Sequence, residues 1–164
     1  MSIHQVIKSL MLGLVIFIST SFTILNSEES SYKCMVQLKN YIGEGAYVVV
    51  SLINPENEYE KTLYVLGEDD EWYFDIDEWW QFQGKVRRDI SAITGATISG
   101  GERSIFVLNL DNEKIDKGYK IRFETAVEDQ EYYTKDLEFD LTAEALKRKF
   151  EGKGFIRYVR LLPQ

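Results

Sequence analysis

The side chains best suited to chemistry are the hydroxyls of Ser91, Thr94 and Thr97, set in the small-residue run Ser91-Ala92-Ile93-Thr94-Gly95-Ala96-Thr97. A basic cluster, Lys85-Val86-Arg87-Arg88, precedes the run, and Ile98-Ser99-Gly100-Gly101 follows it. No stripe of large apolar residues crosses it, so it reads as a surface loop or tight turn. Gly95 permits a positive φ, and the small neighbours leave the peptide edge open to a close visitor. The Thr97 hydroxyl is thereby offered to a second molecule. A hydroxyl is a weak nucleophile unless a base or metal activates it.

The chain holds no such base beyond its first residues. Its one histidine is His4 and its one cysteine is Cys34. A body without histidine runs no Ser-His or Cys-His mechanism, and a lone cysteine closes no internal disulfide and builds no thiolate zinc site. Redox or group-transfer chemistry therefore has to arrive with a cofactor. The formal charge of -8 argues against nucleic acid as a partner. Acidic residues from Asp69 to Glu78 follow no calcium-loop spacing and read as a solvated face, so no metal site is expected.

Thr94-Gly95-Ala96-Thr97, with Ser91 three residues before Thr94, resembles the acceptor motif of bacterial FMN-binding domains. In those domains the last threonine of an Asp-x-x-Ser/Thr-Gly-Ala-Thr run carries FMN as a phosphoester, placed by a flavin transferase that uses FAD. The resemblance implies Thr97 as attachment point, the amides of Gly95 and Ala96 near the phosphate, and Arg88, Arg87 or Lys85 offsetting its charge. The motif's acidic residue is replaced here by Ser91, and Asp89 lies two positions earlier. From about Tyr47 to Glu128 the order of strand, Trp-Trp helix, Thr-Gly-Ala-Thr loop and hairpin also resembles an uncharacterised family of periplasmic domains associated with PepSY-type membrane proteins.

Residues 1–27 carry Lys8 and then seventeen uncharged positions from Ser9 to Leu25. They read as a signal peptide or an uncleaved N-terminal anchor, either of which puts the body outside the cytoplasm. A polar linker is expected over 28–32 and one domain over 33–164. Its strand-like segments, among them 34–42, the nearly continuous apolar run 46–53, 59–66, 104–110, 119–127 and 132–141, predict an all-β, immunoglobulin-like β-sandwich of about seven strands. A short helix is predicted within 72–83 from Trp72, Ile76, Trp79, Trp80 and Gln83. Its tryptophans either cap the sandwich or, for Trp79 and Trp80, form a platform for an isoalloxazine ring, where stacking adds roughly 0.5–1.5 kcal/mol beyond burial.

Two functions follow as expectations. One is an extracytoplasmic electron carrier with FMN on Thr97, working beside a membrane-embedded electron-transfer protein. The other is a cofactor-free module that binds an envelope protein or glycan through its tryptophans.

Overall fold

The computed structural model describes residues 28–86 and 89–164, so the leader, Arg87, Arg88 and the side chain of Lys85 lie outside the described residues. The all-β sandwich predicted from the strand-like segments is what the chain forms. A four-stranded sheet has the order β5-β1-β9-β8, built from β1 (Glu29–Leu38), β5 (Arg103–Asp111), β8 (Lys149–Phe150) and β9 (Ile156–Pro163). A five-stranded sheet has the order β4-β3-β2-β6-β7, built from β2 (Tyr47–Ile53), β3 (Tyr59–Leu66), β4 (Thr94–Gly95), β6 (Lys120–Ala126) and β7 (Tyr132–Asp140). β1 begins inside the stretch expected as linker, because Glu29 to Ser31 pair with Asp111 to Asn109.

Alternation decides which residues meet between the sheets. Cys34, Val36 and Leu38 of β1 and Phe106 and Leu108 of β5 face Val48, Val50 and Leu52 of β2 and Ile121 and Phe123 of β6. Tyr64 stacks on Phe106 with ring centroids 4.1 Å apart. Cys34 is buried, and burial pushes its thiol far above the ordinary range, as suits a small core hydrophobe. Asp136 is also buried, yet its carboxylate accepts from Thr125 Oγ1 and from the amides of Gly154 and Ile156, which ties the last turn to β7.

β2 is central, and its run, apolar except for Ser51, is buried on both faces. A second cluster covers the far face of its sheet: Val49 and Val65 lie under Tyr73, Ile76 and Trp79. These come from a 3-10 turn, Asp70–Asp75, and from helix α1, Asp77–Val86. Asp69 caps the turn by accepting from the Glu71 amide, and Asp77 and Glu78 suit the positive end of α1. The aromatic segment is thus a lid on the open face of a sheet.

Candidate functional site

The small-residue run is held at both ends by backbone pairing. Thr94 and Gly95 add a short parallel strand to β3, opposite Val65 and Leu66. Ile98 then bridges Ala46 in antiparallel fashion, with amide-to-carbonyl distances of 2.8 and 3.2 Å, and its side chain is buried. Between these anchors Ala96 and Thr97 form a two-residue exposed arch. Gly95 supplies no left-handed turn, contrary to the sequence reading, because its place in a strand asks for ordinary extended geometry. Gly45 is the glycine that matters for room: a Cβ there would lie 2.4 Å from Thr97 Oγ1.

Thr97 opens onto a cleft of about 540 Å³ whose aromatic lining comes from Tyr47, Trp72, Phe74 and Tyr132. Trp72 and Phe74 are 38% and 57% exposed, with ring centroids 6.3 Å apart. Its charged lining is acidic, with Glu44, Asp75, Glu128 and Asp129, beside small and apolar residues. Tyr47 registers that field: burial and then Asp69, Glu128 and Asp75 push its phenol above the ordinary tyrosine value.

The other predicted residues scatter around this arch. Ser91, Thr94 and Trp80 line a second cleft, of about 740 Å³, with Asp70, Tyr73 and Asp89. Ser91 donates to Asp89 Oδ1 through its amide at 2.9 Å and its hydroxyl at 2.6 Å, which holds the Asp89 carboxyl below its usual range. Thr94 Oγ1 donates to the Ser91 carbonyl at 3.2 Å. Trp79 cannot act as a platform: it is 0% exposed, and its indole Nε1 donates to Thr62 Oγ1 at 2.9 Å. Trp80 keeps an exposed edge, but in the second cleft rather than beside Thr97.

Trp72, not Trp79 or Trp80, is the tryptophan that shares a cleft with Thr97. Helical spacing placed all three together, whereas Trp72 belongs to the 3-10 turn and swings to the other side. Gly45 and Tyr47 were legible only as punctuation and strand. Behind Tyr132 lies a group that composition alone does not reveal. Glu124 of β6 is fully buried beneath the lid and accepts from Tyr59 Oη at 2.9 Å and, in a very short bond, from Tyr132 Oη. Burial raises its carboxyl to about 7, with the two phenols and Arg122 pulling the other way. Arg122 is in turn paired with Glu138 at 2.6 Å. Among the described residues no group of three or more metal-ligating side chains comes together, and no helix is long and apolar enough to cross a membrane.

The family described as Predicted periplasmic protein (DUF2271) matches residues 29–158. That is most of the sandwich, and the chain belongs to this family. Comparison with curated proteins gave no match, and comparison with solved structures gave none either.

Proposed function

We propose that this DUF2271 protein carries FMN covalently on Thr97 and serves as an extracytoplasmic electron carrier. One observation carries the reading: the predicted acceptor threonine sits on an exposed arch that opens into an aromatic-lined cleft. A sealed hydroxyl would have ended it. The cleft suits a flat apolar ring, because Trp72, Phe74, Tyr47 and Tyr132 supply aromatic surface and Gly45 keeps a Cβ out of the space beside the hydroxyl. The substitution of Ser91 for the motif's acid is partly offset, since Ser91 holds the Asp89 carboxylate within hydrogen-bond reach.

The described residues offer no imidazole to activate Thr97, His4 being the chain's one histidine. A separate metal-dependent flavin transferase therefore makes the bond: Thr97 Oγ1 attacks the FMN-side phosphorus of FAD, the bond to AMP breaks, and the hydroxyl proton leaves to the transferase. The bound flavin would supply one- and two-electron transfer. The chain's own part is to hold the tether at a fixed place and to surround it with carboxylates, which disfavour added negative charge. A leader that retains the domain at the membrane would keep it beside a membrane-embedded redox partner.

The test is coexpression with a flavin transferase, followed by intact mass and in-gel fluorescence. One FMN phosphoester per chain, absent in Thr97→Ala, is the expected result. An unmodified chain beside a transferase that modifies a control substrate overturns the proposal.

A further inference from the structure

Three exposed apolar side chains gather at the Thr97 end of the sandwich. Trp72 and Phe74 line the cleft, and Ile42, 97% exposed, stands on the adjoining loop. Exposed large hydrophobics that cluster, rather than lie singly, mark contact surfaces. The surface is built rather than loose. Gln130 Nε2 donates to the Ile42 carbonyl at 2.9 Å, and the Gln130 amide donates to the Val127 carbonyl at 3.0 Å, so the 42–45 loop and the 127–130 turn are fastened together. Gly43 adopts a φ of +143°, and a Cβ there would meet Gln130 Nε2 at 2.3 Å, so this junction needs a glycine.

The charge at this end has one sign. Glu44, Glu128 and Asp129 line both the Thr97 cleft and the shallow depression of about 500 Å³ beside Ile42, and Asp75 joins them in the cleft. Among the described residues no lysine or arginine lines either. Exposed cations of the described residues lie outside this lining, among them Lys33, Arg103, Lys149, Arg157 and Arg160 on the four-stranded sheet and Lys61 and Lys135 on the other. The described part of the Thr97 end is therefore acid-rimmed and apolar at its centre.

We infer that this end is the docking face for a basic protein, whose cationic rim meets Glu44, Asp75, Glu128 and Asp129 while an apolar centre covers Trp72, Phe74 and Ile42. Opposite charge around an apolar centre steers encounter and fixes orientation, and a polar rim keeps water from the contact. The docking does not depend on the flavin, so it is tested with Thr97→Ala, which carries none, and its failure leaves the modification untouched. If both hold, the partner arrives at the cleft where the tether begins.

The probe is cytochrome c, a lysine-rich redox protein, added to the isotope-labelled chain while amide resonances are followed. Shifts confined to residues 42–47, 72–76 and 126–132 are expected, with affinity falling about tenfold or more when salt is raised from about 20 to 200 mM, as the screening length shortens to roughly 7 Å. The triple variant Glu44→Gln, Glu128→Gln, Asp129→Asn should weaken binding about tenfold and flatten the salt slope. Phe74→Ser should weaken it severalfold and leave that slope unchanged. Shifts spread over the surface or centred on the Trp80 cleft overturn the proposal, as does a triple variant that binds like the parent. So does sedimentation of the chain alone as an oligomer that the triple variant dissolves, because the acidic end would then be seated on a second copy's basic sheet.

Discussion

The two faces of the five-stranded sheet are built on different terms. Toward the other sheet, Val48, Val50, Leu52, Ile121 and Phe123 interdigitate with aliphatic and aromatic partners. Toward the lid, the alternate residues Arg122, Glu124 and Thr62 put a charge pair, a carboxylate and a hydroxyl beneath tryptophan and tyrosine. The first face holds the fold by close packing, which has few alternatives. The second packs its lid on Val49 and Val65 and adds directional bonds such as that from Trp79 to Thr62, and that layer makes both clefts. The clefts in this protein thus come from the face of the sheet where polar groups are buried among apolar ones.

The largest expected effects separate the two faces. Phe123→Ala, which empties a fully buried ring between the sheets, should cost about 3–5 kcal/mol in denaturant unfolding and speed amide exchange in both sheets. Trp79→Phe loses the indole bond to Thr62 and should cost about 1–3 kcal/mol. Its faster exchange should be confined to residues 70–86. If exchange rises everywhere in both variants, the lid and the sandwich are one cooperative unit and the contrast fails.

Next comes acidity, which acts only on the lid side. The Glu124 carboxyl stands at about 7 in the folded chain against an ordinary 4.5. Between those values the folded chain keeps a proton that the unfolded chain has lost, so stability falls as pH rises through that window. Below 4.5 the effect vanishes and above 7 it is constant, at about 3 kcal/mol for a shift of this size. Glu124→Gln should flatten the dependence of unfolding free energy on pH between 4.5 and 7. A variant that keeps the parent's slope would assign that slope to other groups.

A nearly continuous apolar run was enough to find β2, the Asn-Pro turn after it to find β3, and alternating or strand-rich segments to find β5, β6 and β7. The start of β1 escaped, since Glu29, Ser30 and Ser31 have no strand pattern and are recruited by pairing with β5. In the site the hydroxyl arch was visible as a run of small residues. Its mate Trp72 was not separable from Trp79 and Trp80, because a 3-10 turn and an α-helix place the same spacing on different sides. Glu124 was legible only as one charge in an alternating strand. Its burial depends on the lid, a contact between segments far apart in the chain.

A smaller effect sharpens the account of the arch. Gly45→Ala puts a Cβ 2.4 Å from Thr97 Oγ1 and 2.7 Å from Thr97 Cβ, so the arch or the loop has to move. A cost of about 1–3 kcal/mol is expected, as for other overpacked sites. In a Thr97→Gly background both clashing atoms are gone and most of that cost should disappear, a non-additivity that a double-mutant cycle of unfolding energies would read. Additive energies would mean that Gly45 is needed for its backbone and not for the space it leaves.

The smallest expected effect on stability is the one with most consequence for function. Thr97 is exposed and lies between two backbone anchors that do not involve its side chain, so Thr97→Ala should change unfolding by no more than about 0.5 kcal/mol. Trp79→Phe, on the same side of the sheet, should do the reverse, loosening the lid while keeping the acceptor hydroxyl. Modification by the transferase should therefore vanish in the first variant and persist in the second. If Thr97→Ala instead unfolds the chain, the hydroxyl is a structural member of the arch. Loss of flavin in that variant would then say nothing about attachment, and Thr97→Ser, which keeps a hydroxyl, would have to restore both stability and flavin for the assignment to stand.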